Sequence, residues 1–292
     1  MKRLIINADD LGLTAGVNRA IFSLAGAGAL SSATLMAAAS TSEAAAVEAR
    51  EYSRLGIGCH ITLVDGVPLL PASEVPSLIV PRSTSFRQSL ASFVLDLVRG
   101  RVRESEIEAE AIAQIRRLQR MRIPVTHLDT HKHTHMFPRV LRPLLRAALQ
   151  CGVRAIRNPF EPEWSVAATS GAPLFRRAQV NLLRTRRAYF TRATAQSGLV
   201  TTGGAVGVLA TGSLDATTLH SLLQAMPEGT WELVCHPGYN DSDLRSANTR
   251  LLESREVERR AILEVVPTLT ATEGLSLINF GDLAAQQDHG PA

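Results

Sequence analysis

The sequence predicts an α/β domain built as a single parallel βα barrel. Short apolar runs rich in β-branched residues alternate with helical periodicity roughly seven or eight times along the 292 residues. Four of those runs end in clusters of carboxylate and histidine. The length also suits the roughly 250 residues typical of such barrels. The expected domain covers residues 1–285, followed by a disordered tail at 286–292.

The chain opens with Arg3-Leu-Ile-Ile-Asn7, a short buried strand that delivers Asp9 and Asp10 to the carboxyl edge of a sheet, where α/β folds place their sites. Thr14 is suited to cap a helix reaching about Leu24, with Val17, Ile21 and Leu24 on one face. Leu30–Met36 reads as a second strand and Thr41–Arg54 as an Ala/Glu-rich helix. Ile57–Leu63 reads as a third strand with His60 inside an apolar run, and Gly58 leaves room for another group to approach it. Residues 64–84, with Pro68, Pro71, Pro76 and Pro81, read as a long loop. Helices are expected over Ser85–Val98 and Glu104–Arg122, the latter with acids early and arginines late.

Residues 124–138 hold four of the eight histidines. On a strand from Val125 to Thr130, His127 and Asp129 share a face, and His131, His133 and His135 continue into the loop. A helix over Pro138–Leu149 and a strand over Val153–Asn158, ending in Arg157, follow. Residues 160–200 show one expected helix near 173–187 and no legible strand. Ala205–Leu209, Thr230–Cys235 and Leu275–Asn279 complete the strands, with helices over Ala216–Met226 and Glu253–Val265. His236 stands just past the end of the Thr230–Cys235 run.

In a barrel these strand ends share one rim. A carboxylate with two histidines leaves a divalent metal open to water and substrate. A second carboxylate can take a proton from water, and a further histidine can protonate a leaving amine. That is equipment for metal-assisted hydrolysis, and it does not name the bond.

Composition excludes several classes. An apolar share of 45% supports a full core. Cys59, Cys151 and Cys235 form no disulfide or metal spacing and fit a reduced, cytoplasmic setting. The amino-terminal apolar run is too short for a signal peptide, and no stretch reaches the ~18 apolar residues of a membrane span. The net charge is +4, and Arg176, Arg177, Arg184, Arg186, Arg187 and Arg192 lie in a segment without acids between Glu163 and Asp215. That run suits either a solvated helix face or peripheral contact with an anionic membrane surface. No aromatic stacking pattern accompanies it, which argues against nucleic acid. Apolar positions on the exterior helices are compatible with a homodimer.

The motifs Asn7-Ala-Asp-Asp-Leu-Gly12, Gly58-Cys-His60, His127-Leu-Asp-Thr-His-Lys-His-Thr-His-Met-Phe-Pro138 and Cys235-His-Pro-Gly-Tyr239 together resemble the YdjC-like carbohydrate deacetylases, a family with chitooligosaccharide and hopanoid-associated branches. The resemblance implies a TIM-barrel-related fold like that of the polysaccharide deacetylases and removal of an N-acetyl group from an amino sugar. It also implies one divalent metal, magnesium first, with zinc permitted by the ligand chemistry. Carried over by position, Asp10, His60 and His131 are the metal ligands, Asp9 the general base and His236 the acid. Asp129, His133, His135, Arg157 and Tyr239 are expected around the substrate, with Arg157 orienting the base. For His133 and His135, sugar binding and ligand orientation stand equal; Tyr239 either donates to substrate or packs. The alternatives are another metal hydrolase on the same scaffold, such as a phosphoesterase, and a catalytically silent sugar-binding protein.

Overall fold

The computed structural model describes residues 1–272 and 274–288. Its first strand, β1 (Lys2–Leu11), is buried from Leu4 onward. Alternation divides its side chains: Leu4, Ile6, Ala8 and Leu11 join the large core against the helices, whereas Ile5 joins a separate cluster with Ala155, Val200, Ile278 and Phe280. Thr14 caps α1 (Ala15–Gly26), as expected, by accepting from the Val17 N–H. β2 (Ser32–Leu35), α2 (Ser42–Ala49) and β3 (Gly56–Ile61) follow, every residue of both strands being buried. The expected helix from Ser85 begins later, as α3 (Leu90–Val98).

α4 (Glu104–Arg120) turns two acids inward, and they organise the proline-rich loop. Glu110 accepts from the Leu69 and Leu70 N–H groups, and Glu106 from that of Ser77. The loop thus has its backbone bonds satisfied by a neighbouring helix, which lets it lie ordered without strands of its own.

β4 is short, Leu128–Thr130, and runs into a 3-10 turn over His131–Met136 rather than an open loop. α5 (Pro138–Gln150) begins on a proline whose missing N–H costs nothing there. Val153–Asn158, expected as a strand, is held only by bridges from Leu128 to Ile156 and from Ala155 to Val200. The segment 160–200 contains three helices where one was expected: α6 (Glu163–Ala168), α7 (Leu174–Arg184) and α8 (Arg187–Gln196). Then come β5 (Ala205–Val206), α9 (Ala216–Ala225), β6 (Gly229–Cys235), α10 (Ser242–Ser246), α11 (Glu253–Thr272), β7 (Ser276–Leu277) and α12 (Phe280–Asp288). α12 runs past the expected domain end at Ala285, so 286–288 continue a helix; residues 289–292, the rest of the expected tail, lie outside the described residues.

The sheet order is β4-β3-β2-β1-β6-β5, with every pairing parallel. Backbone bonds from the Val200 N–H to the Arg154 carbonyl, from the Gly203 N–H to the Thr230 carbonyl and from the Glu232 N–H to the Gly204 carbonyl carry the curl round to β6. The result is a curled parallel sheet wrapped by helices, the expected α/β barrel-like fold. β7 pairs with Arg3 and Leu4 of β1, so the last strand closes the amino end of the sheet. Phe280 follows it and stacks on His127, with ring centroids 3.9 Å apart.

Gly58 explains how a histidine fits there. Any Cβ at position 58 would collide with the His127 ring, which is fully buried and pinned between Phe280 and the Thr126 hydroxyl. Burial pushes His127 down to about 3, so it is a neutral packing ring. Gly58→Ala is expected to destabilise the fold by about 1–3 kcal/mol through overpacking. Adding His127→Ser should recover part of that loss in a urea titration.

Candidate active site

β1 should not be able to point two consecutive side chains into the barrel, yet Asp9 and Asp10 both reach the same cavity. A bulge between Ala8 and Leu11 breaks the register with β2, and Asp10 adopts φ of 65°. That left-handed residue re-aims its side chain to the inner face. Asp10 Oδ1 then lies 3.4 Å from His60 Nε2 and 3.4 Å from His131 Nδ1, and the two nitrogens are 3.3 Å apart. The 3-10 turn delivers His131 by placing Lys132 and His133 at positive φ.

These three donors suit one divalent cation. Ligands at about 2.0–2.2 Å from an ion sit roughly 3–3.5 Å from each other, and two imidazoles with a carboxylate form a common donor set. The charge balance agrees. Burial works against a charged His60, but Asp129, Asp10 and Asp9 outweigh it and raise the ring to about 10. A pocket that holds a proton so tightly is one that favours a cation.

Behind the donors lies a closed electrostatic network. His60 Nδ1 is hydrogen-bonded to Asp129 Oδ1 at 2.7 Å, which turns Nε2 toward Asp10. Thr34 contacts Asp9, His60 and Asp129 together. Arg157 is fully buried; it donates to Asp9 Oδ2 at 2.9 Å and Oδ1 at 2.6 Å, to Glu232 Oε1 at 2.7 Å, and to Asp129. Burial opposes ionisation of Asp9 and Asp129, but the Arg157 guanidinium beside them holds both below the usual carboxylate range. For Asp10, burial is likewise overcome, by Arg255 at 2.6 Å and the two imidazoles.

His236 stands across the opening, its Nε2 3.8 Å from Asp9 Oδ2. Its backbone N–H donates to Glu258 Oε2 at 2.6 Å, and the same oxygen lies 3.9 Å from Nδ1. Arg255 and Glu258 are both 1% exposed on α11, one holding Asp10 and the other the His236 backbone.

The structure therefore brings Asp9, Asp10, His60, His131 and His236 together. It does not bring every expected substrate contact to the opening. Asp129 is wholly buried beneath His60. His135 is wholly buried as well, donating to the Arg157 carbonyl at 3.2 Å and bonded to the Thr130 hydroxyl at 2.7 Å. His133 is partly open, with a buried Nδ1 that has no partner among the described residues. The Tyr239 ring lies beneath the guanidinium groups of Arg259 and Arg19, at 4.8 and 5.7 Å. Arg157 sits at the centre of the acids rather than at the opening.

Glu232, Arg255, Glu258 and Thr34 escaped the sequence reading. Glu232 carried a signal, an acid in the middle of an apolar strand. Arg255 and Glu258 did not, because they sit in a helix whose charges read as a solvated face.

A family model described as "YdjC-like protein" matches residues 3–266. The chain belongs to the YdjC-like family. Among relatives of this YdjC-like protein, a carbohydrate deacetylase of Geobacillus stearothermophilus is 30% identical over 280 residues, covering 94% of this chain and 96% of its own. Another, from Thermoanaerobacter pseudethanolicus, is 26% identical over 267 residues, covering 90% and 92%. A chitooligosaccharide deacetylase of Enterobacter sp. is 34% identical over 155 residues, covering 52% and 58%. A solved structure from Enterococcus faecalis, titled a putative cellobiose-phosphate cleavage protein, superposes with a TM-score of 0.77 at 23% identity, covering 97% and 99% of the two chains. At that identity it shows the fold the YdjC-like protein shares.

Glu232 is the acid that the single guanidinium does not keep ionised. Burial, with Asp9 and Asp129 adding to it, outweighs Arg157 and pushes Glu232 up to about 8, from 4.5. The folded protein keeps a proton there that the unfolded chain releases, so this contribution to stability is complete below pH about 4.5 and is lost as the pH climbs through about 8. In thermal melts across that window, Glu232→Gln of the YdjC-like protein is expected to lose less stability than the wild type.

Proposed function

We propose that this protein is a metal-dependent hydrolase that removes the N-acetyl group from an amino sugar and releases acetate. One observation carries the reading: a carboxylate and two imidazoles converge at 3.3–3.4 Å beside a second carboxylate that faces a histidine at 3.8 Å. Its membership of a family whose relatives include carbohydrate and chitooligosaccharide deacetylases supports the choice of bond and substrate class.

Asp10, His60 and His131 would hold the cation, and magnesium or zinc is compatible with the donors. A divalent ion bound there would supply Lewis acidity for the acetyl carbonyl and for the attacking water. Asp9, kept ionised by the Arg157 fork, accepts the proton of the attacking water. His236 is placed to give a proton to the amine nitrogen as the C–N bond breaks, so that acetate and a free amine leave. Asp129 positions His60 rather than touching substrate, and Glu258 positions His236. His133, partly open at the rim, is the histidine left to meet sugar hydroxyls.

Acetate release from chitobiose, N-acetylglucosamine and an N-acetylglucosaminyl lipid, using metal-stripped protein and protein restored with Mg2+ or Zn2+, tests the reading. Metal-dependent acetate from one member is expected. No acetate from any member despite bound metal would overturn it. Asp10→Asn should lose metal and activity together. His236→Gln should keep its metal and lose about 10²–10⁴-fold in rate.

A further inference from the structure

α7 turns its apolar side to water. No residue of the helix is buried, and Leu174, Phe175 and Leu182 are 84%, 71% and 66% exposed. With Ala178, also exposed, they fall on one face of the helix. The opposite face is pinned to the protein by arginines. Arg176 donates to the Thr211 carbonyl at 3.2 Å, Arg177 to the Val166 carbonyl at 2.9 Å, and Arg184 pairs with Glu163. The orientation is thus set by specific bonds, and it leaves an apolar face that calls for a cover.

The surrounding charge selects the cover. No acidic residue lies between Glu163 and Asp215, while Arg187 and Arg192 are exposed on the next helix. A second copy docking through a twofold axis would set those arginines against their own copies. An anionic bilayer meets both requirements, taking apolar side chains at the acyl boundary and arginines among its headgroups. Among the described residues no helix is long and apolar enough to cross a membrane, so the contact is peripheral.

α6, α7 and α8 form the connection that leaves the sheet just after Arg157. The amino end of α7 is tied to Thr211, the next residue, Gly212, donates to Glu258, and Glu258 holds the His236 backbone. These bonds connect the amino end of α7, through the 211–212 turn, to the glutamate that holds the His236 backbone.

We propose that α7 is an interfacial helix that seats the protein on an anionic lipid surface, with Leu174, Phe175 and Leu182 inserted and Arg187 and Arg192 at the headgroups. Sedimentation of the full chain with phosphatidylcholine vesicles, with and without phosphatidylglycerol, tests it. Binding to the anionic vesicles is expected to exceed that to neutral ones by roughly tenfold or more and to weaken with salt. The double substitution Phe175→Ser/Leu182→Ser should reduce anionic binding about tenfold with the melting temperature unchanged. Arg187→Gln/Arg192→Gln should remove the preference for anionic over neutral vesicles. If the serine variant misfolds, Phe175→Trp decides, its emission shifting to the blue with anionic vesicles. Failure of the wild type to sediment, equal sedimentation of a folded serine variant, or an unshifted tryptophan overturns the proposal. So does a dimer that the serine substitutions split, because the face would then belong to a second copy.

Discussion

The acids beneath the open end of the barrel lean on one buried guanidinium. Arg157 faces acids from three strands, Asp9 on β1, Asp129 on β4 and Glu232 on β6, all four side chains being buried. Removing charges from water costs several kcal/mol per ion, and only a closely matched set of partners recovers it. Each acid then passes its orientation outward: Asp129 fixes His60, His60 meets Asp10, and Asp9 faces His236. The candidate site is one bonded body whose geometry is set from beneath.

The barrel interior is accordingly divided along its axis. At the amino end, Ile5, Ala155, Val200, Ile278 and Phe280 make a dry plug, and the neutral His127 ring packs against Phe280. One step along β1, the same inward face carries Asn7 and then Asp9. The plug keeps water from the base of the charged layer, which strengthens every ion pair above it. The bulge that turns Asp10 inward is bracketed by pairing with β2, at Ala8–Ala33 before it and Leu11–Leu35 after it, so the strand keeps its partner on both sides.

Much of this was legible in the sequence because strand ends announce themselves. Asp9, Asp10 and His236 each follow an apolar run, His60 sits within one, His131 follows a short predicted strand, and a barrel gathers such ends on one rim. The residues behind them were not equally visible. Arg157 could be placed at a strand end, but its role as the shared partner of three acids depends on contacts far apart in sequence. Arg255 and Glu258 look like any charges on a surface helix, and only the docking of α11 turns that face inward. Asp129 and His135 read as rim residues because their motif is rich in histidine, whereas Asp129 lies buried on β4 and the turn at His131–Met136 buries His135. The strand at Val153–Asn158 shrinks to bridges, and the segment after it, whose periodicity is weak, breaks into three short helices.

The pairing of Asp10 with Arg255 joins the opening strand to a helix near the end of the chain. A ribosome releases the two carboxylates of β1 long before it makes Arg255, Glu258 or the Phe280 plug. Until those arrive, Asp10 lacks its guanidinium, the His236 loop lacks its anchor and the base of the barrel is unsealed. The acids are therefore made first and organised last, and a chain stopped before α11 holds most of the reactive side chains without the arrangement that joins them.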